Sequence, residues 1–114
     1  MRADRRGERL QALAPALATA GVGALLVTSR PNVRYLTGFS GSAALVVVTP
    51  RDVLLVTDFR YEEQARAEAG AIARVVVERA SAWDRLFQEL PGLGRLETIG
   101  YEAHALTVLD AGRF

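Results

Sequence analysis

The residues whose types could do chemistry cluster in two short stretches, Thr37-Gly38-Phe39-Ser40-Gly41-Ser42 and Asp58-Phe59-Arg60-Tyr61. The first sets three hydroxyls and an aromatic ring among two glycines, so its backbone can turn sharply and approach a partner closely. A serine nucleophile is poorly supported there. The nucleophile elbow, G-x-S-x-G, needs glycine where this chain has Ser42, and it opens a helix whereas this loop leads into an apolar, strand-like run. A Ser40–His104–Asp triad rests on residue types alone. Metal chemistry fares no better: the chain has one histidine, His104, whose nearest carboxylates in sequence are Glu102 and Asp110, and no cysteine. A hydrolytic metal centre needs three or more ligands. The glycines also fail as a phosphate loop, and Gly21-Val22-Gly23 precedes a strand instead of following one. Binding remains. Arg34, Arg60, Tyr35, Tyr61 and Phe39 sit at the edges of the loop and hairpin, and arginine beside aromatic rings suits a peptide carboxylate or a prolyl ring. The conservative reading pairs Arg60 with Asp58 or Glu63, buries Tyr35 and Phe39, and leaves Ser40 and Ser42 to close a turn.

These residues converge only if the flanking elements bring them to one edge. Ala43–Val48 and Val53–Val56 are Val-rich runs joined by Thr49–Asp52, the pattern of a β-hairpin. Neither run alternates, which predicts strands covered on both faces. Leu10, Leu13, Ala14, Leu17 and Ala18 have helical spacing, predicting a helix over Ala3–Ala20 that ends at Gly21, with a kink or late start near Pro15. A strand follows at Val22–Thr28, and Ser29 can cap a short helical turn through Tyr35–Leu36. Asp58 or Thr57 can cap a helix over Tyr61–Ala69, whose Glu62, Glu63, Arg66 and Glu68 form a solvated face. Ala71–Val77 reads as a strand. Ser81 opens a helix over Ala82–Leu90 with Trp83, Leu86, Phe87 and Leu90 as its apolar stripe. Thr98–Tyr101 reads as a short strand and Leu106–Ala111 as the start of a helix. Alternating strands and helices around one hairpin predict an α/β domain with a mixed, mostly parallel sheet and helices on both faces.

Composition sets outer bounds. With 114 residues, half of them hydrophobic and a quarter charged, the chain makes one globular domain with one core. All fourteen basic residues are arginine, yet the net charge of +1 gives no reason to expect nucleic acid or an anionic membrane. The N-terminal arginines followed by Leu10–Ala16 superficially suit a secretory signal, but Glu8, Arg9 and Gln11 interrupt the apolar region. No apolar run approaches the ~20 residues of a membrane span. A cytoplasmic location is the expectation, compatible with the lack of cysteine.

The run Asn32-Val33-Arg34-Tyr35-Leu36-Thr37-Gly38-Phe39-Ser40-Gly41-Ser42-Ala43 resembles the N-terminal domain of the creatinase/prolidase family, especially Xaa-Pro aminopeptidases and Xaa-Pro dipeptidases. Leu54–Tyr61, Glu63-Gln64-Ala65 and Ile99–Ala103 match in the same order, with Phe59 where the family often has glycine. The resemblance implies a ribonuclease-H-like creatinase N-terminal fold over residues 1–114, truncated before its final elements and preceding a catalytic domain that this chain lacks. That metallopeptidase domain, with two divalent ions of manganese or cobalt, would cleave the Xaa-Pro bond; this chain would hold no cofactor and no catalytic residue. The N-terminal domain would instead build homodimer or higher oligomer contacts and wall the substrate site for a proline-containing peptide. Phe39, Ser40, Gly41 and Ser42 match the loop that faces substrate, with Arg60 and Tyr61 beside it. The alternative is a stand-alone interaction module of the same fold without enzymatic activity.

Overall fold

The computed structural model describes residues 6–21, 23–90 and 99–101. His104 and the helix expected at Leu106–Ala111 lie outside them, as do residues 3–5 of the first helix.

Fifteen residues, Arg6–Ala20, form helix α1, which runs through Pro15 without a late start. Leu13 and Leu17, one turn apart, are buried. Gly21 follows in the left-handed region, at φ 74°, where a residue without Cβ carries no steric penalty. Strand β1 (Ala24–Val27) leads to α2 (Arg30–Thr37). Ser29 caps α2 by accepting from the Asn32 N–H at 3.4 Å, and Pro31 in the first turn costs no hydrogen bond. The helix is therefore longer than the single turn expected. Gly38 ends it at φ 84°, its N–H donating to the Arg34 carbonyl at 2.8 Å.

The hairpin forms where the sequence places it, as β2 (Ala44–Val48) and β3 (Val53–Asp58), paired antiparallel from Ala44–Thr57 to Val48–Val53. A single 3-10 turn, Phe59–Tyr61, links β3 to α3 (Glu62–Ala69). Then come β4 (Arg74–Glu78), α4 (Ala82–Glu89) and β5 (Ile99–Tyr101). The β4 strand starts three residues later than the Val-rich run suggested, because Ile72 and Ala73 donate to Ala69 and close a turn instead.

The sheet order is β4-β3-β2-β1-β5. It is mixed, as expected, but parallel pairs do not predominate. β3 with β4 and β1 with β5 are parallel, while β1 with β2 and β2 with β3 are antiparallel. The hairpin and the return from β1 through the short α2 set these two antiparallel joins.

Both faces of the sheet are covered. Leu25, Val27, Val46, Val48, Leu55 and Val75 face α1, α2 and α3, meeting Leu13, Leu17, Val33, Leu36, Ala65 and Ala69. Ala24, Leu26, Leu45, Val47, Leu54, Val56 and Val76 point the other way, toward Leu86 of α4. Alternating residues thus enter opposite cores, the physical reason the strands read as continuous apolar runs. The α4 stripe needs correction. Leu86 is buried, with Ala82 and Leu90 against the same core, but Trp83 and Phe87 are exposed. Among the described residues one helix covers this face, and the buried stripe is the narrower Ala82–Leu86–Leu90 row.

Candidate functional site

Sheet topology decides what meets at the N-terminal end of β2. Since β2 runs antiparallel to both its neighbours, its first residue lies beside the last residues of β1 and β3. Residues 38–43 and 58–61 therefore share one edge, which brings Phe39, Arg60 and Tyr61 together; Arg34 and Tyr35 instead line a separate depression with Arg9 and Arg30.

Phe39 is the anchor. Its ring is fully buried and meets the Tyr61 ring edge-on, with centroids 5.8 Å apart. This corrects the expectation that the Phe39 ring faces a substrate, and it is what the conservative reading, which buried Phe39, expected. The ring belongs to the core under α1, α2 and α3, because an aromatic at the start of the loop fills the space between α2 and β2. Gly41 is buried directly over it: a Cβ there would stand 2.2 Å from Phe39 Cζ. Glycine at 41 is required by this close approach. At Gly38 the positive φ is the main reason for glycine, and a Cβ would also stand a tight 3.2 Å from the Glu68 carbonyl oxygen.

Ser40 is held from three sides. Its N–H donates to Glu68 Oε1 at 2.9 Å, and its hydroxyl lies 3.0 Å from both Glu68 oxygens. Gln64 donates to the Ser40 hydroxyl at 3.0 Å and to Glu68 at 3.1 Å. Arg30 donates to the Ser40 carbonyl through Nη2 at 2.9 Å and Nε at 3.2 Å. Arg6 ties the same region together by donating to the Thr37 carbonyl at 2.6 Å and to the Glu68 carbonyl. Burial pushes the Glu68 carboxyl up, but the Ser40 N–H and hydroxyl, the Gln64 amide and the Arg34 charge outweigh it, so its pKa falls. A carboxylate held that way is a weaker base than an ordinary one. The contact anchors Ser40 and does not activate it.

Ser42 and Tyr61 sit on the outer side, their oxygens 2.6 Å apart. Arg60 is exposed, lies 5.8 Å over the Tyr61 ring, and pairs with Asp58 at 3.1 Å. The Asp58 side chain also accepts from the Arg60 N–H at 2.9 Å, capping the 3-10 turn. That N–H first, then the guanidinium, hold the Asp58 carboxyl below its ordinary range. The conservative reading of Arg60 therefore holds alongside its place at the edge. It fails for Tyr35, which is exposed beneath the Arg9 guanidinium at 4.1 Å.

Glu68, which the sequence places on a solvated face, is the loop-anchoring residue that sequence reasoning missed. Glu62, Glu63 and Arg66 are exposed, whereas Glu68 is half-buried. Its position three residues after buried Ala65 was a usable signal, but its partner lies 28 residues away in sequence.

Among the described residues no group of three or more His, Cys, Asp or Glu side chains could hold a metal ion, and no helix is long and apolar enough to cross a membrane. What this edge offers chemically is a fixed loop, two exposed hydroxyls, an aromatic face and a guanidinium.

The model of the Creatinase/Prolidase N-terminal domain matches residues 9–112. A Caenorhabditis elegans Xaa-Pro aminopeptidase, app-1, is 38% identical over 86 residues, covering 71% of this chain and 13% of that protein. An Xaa-Pro dipeptidase from Bacillus anthracis superposes with a TM-score of 0.78 at 28% identity, over 84% of this chain and 26% of that one. The N-terminal domain of the cytoplasmic peptidase PepQ from Mycobacterium tuberculosis H37Rv does so at 0.69 and 32% identity, over 96% and 85%. Of the curated relatives it matches, the chain spans a quarter or less, 24% and 13%.

Proposed function

The chain belongs to the Creatinase/Prolidase N-terminal domain family, and from that premise we propose that it is the non-catalytic N-terminal part of a proline-specific peptidase acting on Xaa-Pro bonds. The observation that carries this reading is the edge formed by residues 38–42 and 58–61, where a loop fixed by long-range hydrogen bonds presents hydroxyl, aromatic and cationic groups together. Ser42, Arg60 and Tyr61 meet the peptide; Phe39, Ser40 and Gly41 hold the loop in shape for them. The hydrolytic chemistry, with its pair of divalent ions, belongs to a C-terminal catalytic domain. The described residues do not supply such a site, and no step is assigned to them. The similarity to an aminopeptidase, a dipeptidase and a cytoplasmic peptidase supports the substrate class and a cytoplasmic setting. The same domain contributes contacts between subunits of a homo-oligomer, which brings its loop to a neighbouring active site.

The test is steady-state kinetics of the full-length protein on Xaa-Pro peptides. Arg60→Gln with Tyr61→Phe is expected to raise KM by about tenfold, as loss of one or two polar contacts does, with the melting temperature unchanged. Identical kinetics in the double variant would refute a substrate wall here and leave the edge as a surface for another protein. The isolated 114 residues should hydrolyse no Xaa-Pro peptide with added manganese; metal-dependent turnover would overturn the assignment as non-catalytic.

A further inference from the structure

A separate surface carries charge that the peptidase reading does not use. Arg9 of α1 and Arg30 and Arg34 of α2 line one shallow depression of about 550 Å³, together with Pro31 and Tyr35. Arg30 and Arg34 are one turn apart on α2, where like charges repel. No ion pair or hydrogen bond joins any of the three to a described carboxylate. The acidic group that feels Arg34 is Glu68, and its oxygens are already taken by Ser40 and Gln64.

The guanidiniums are oriented and not exhausted. Arg9 donates to the Tyr35 carbonyl at 2.7 Å and stacks on that residue's ring. Arg30 donates through Nε and Nη2 to the Ser40 carbonyl. Each of these uses one or two of five N–H donors, and the backbone partner fixes where the rest of the fork points. Arg34 donates to none of the described residues. Three planar cations set around one hollow, two of them braced, match an oxyanion with several oxygens, which accepts paired N–H bonds from arginine.

We propose that this depression is a binding site for a multivalent oxyanion, a phosphate or a group of clustered carboxylates, recognised by Arg9, Arg30 and Arg34. Because Arg30 also holds the Ser40 carbonyl, an anion drawn to it would bear on the loop at residues 38–42 from outside.

Isothermal titration of the 114-residue chain with inorganic phosphate and, separately, with tricarballylate tests this at constant ionic strength set by chloride. Saturable binding of at least one is expected, weakened at least about tenfold in the Arg30→Gln/Arg34→Gln variant, as loss of charge-assisted hydrogen bonds dictates. Binding should be unchanged in Arg51→Gln, whose exposed arginine sits on the hairpin turn at the other end of β2. Phosphate binding alone identifies a phosphate site and tricarballylate binding alone a carboxylate site; either supports the proposal. If the double variant misfolds by circular dichroism, Arg9→Gln alone should give the same weakening. No saturable binding, or equal affinity in wild type and folded variants, overturns it. General salting-out by phosphate stabilises proteins without a site and would be equal in all variants.

Discussion

The two ends of β2 are closed in opposite ways. At its C-terminal end the hairpin turn is self-sufficient: the Thr49 N–H donates to the Asp52 carbonyl at 2.8 Å, and the Thr49 hydroxyl accepts from the N–H groups of Arg51 at 3.2 Å and Asp52 at 2.8 Å. Every partner lies within three residues. At its N-terminal end the loop over residues 38–42 is held by Arg30, Gln64, Glu68, Tyr61 and the Phe39 ring, from up to 28 residues away. A turn closed by its own residues needs nothing from the rest of the fold. A loop fixed by two helices and a 3-10 turn has a geometry that the rest of the domain sets, and a preorganised loop meets a ligand with less entropy to lose. The contrast separates a turn closed by its own residues from a loop whose shape the rest of the fold sets.

The sharpest test strikes the support beneath the loop. Phe39→Ala removes the largest fully buried side chain among the described residues and should cost about 3–5 kcal/mol, as large aromatic truncations in cores do, read as a lower denaturation midpoint in urea. Gly41→Ala forces a carbon against that ring and should cost about 1–3 kcal/mol by overpacking. The two are coupled: in a Phe39→Ala background the Gly41→Ala change should cost much less, since the clashing atom is gone. Additive costs in the double-mutant cycle would mean that Gly41 is required for some other reason and that Phe39 does not shape the loop.

Next in size is Glu68→Ala, which strips the Ser40 N–H and hydroxyl of their acceptor. The expected cost is about 1–3 kcal/mol, the range for leaving a partly buried donor unpaired. The pH dependence gives a second readout. The folded-state pKa of Glu68 is lowered, so its contribution is fully present above the unfolded-state value, roughly 4.3, and is lost as pH falls through the lower folded-state value. The stability gap between wild type and Glu68→Ala should therefore be widest near neutrality and narrow on acidification. A gap that widened below pH 4 would place the Ser40–Glu68 contact in the wrong protonation state.

How much of this was legible follows from the same contrast. The hairpin, the caps at Ser29 and Ser81, and the break at Gly21 are local events, and local residue types announce them; Asp58 caps the 3-10 turn before α3 instead of α3 itself. The double coverage of β2 and β3 was also visible, because burial on both faces writes apolar residues at every position. The balance of parallel and antiparallel pairs was not, since it depends on which edge each returning strand joins. Phe39 was misplaced for a related reason: a ring in a polar, glycine-spaced loop reads as exposed until α1 and α3 close over it. Glu68 carried one faint signal, its place beside the Ala65–Ala69 stripe. Its partner loop could be paired with it only in three dimensions.

At the hairpin end, Thr49→Ala should cost about 0.5–1.5 kcal/mol, one net hydrogen-bond contribution, and leave the other end untouched. In a proton–nitrogen correlation spectrum the shifts should move at residues 48–53 and stay fixed at residues 38–42. Propagation to the loop would show that the two ends are not independent.

The smallest expected effect discriminates best. Ser42 and the Tyr61 hydroxyl are exposed to water and bonded to each other, so Tyr61→Phe loses a contact that solvent replaces, and the ring keeps its edge-on packing against Phe39. Stability should change by no more than about 0.5 kcal/mol, as for most surface substitutions. If Tyr61→Phe lowers catalytic efficiency in the full-length protein while the melting temperature stays put, the hydroxyl acts on a ligand and not on the fold. If instead stability falls by more than a kilocalorie, well above that surface range, the Ser42–Tyr61 bond is part of the brace, and the loop has no outer side left for a substrate to use.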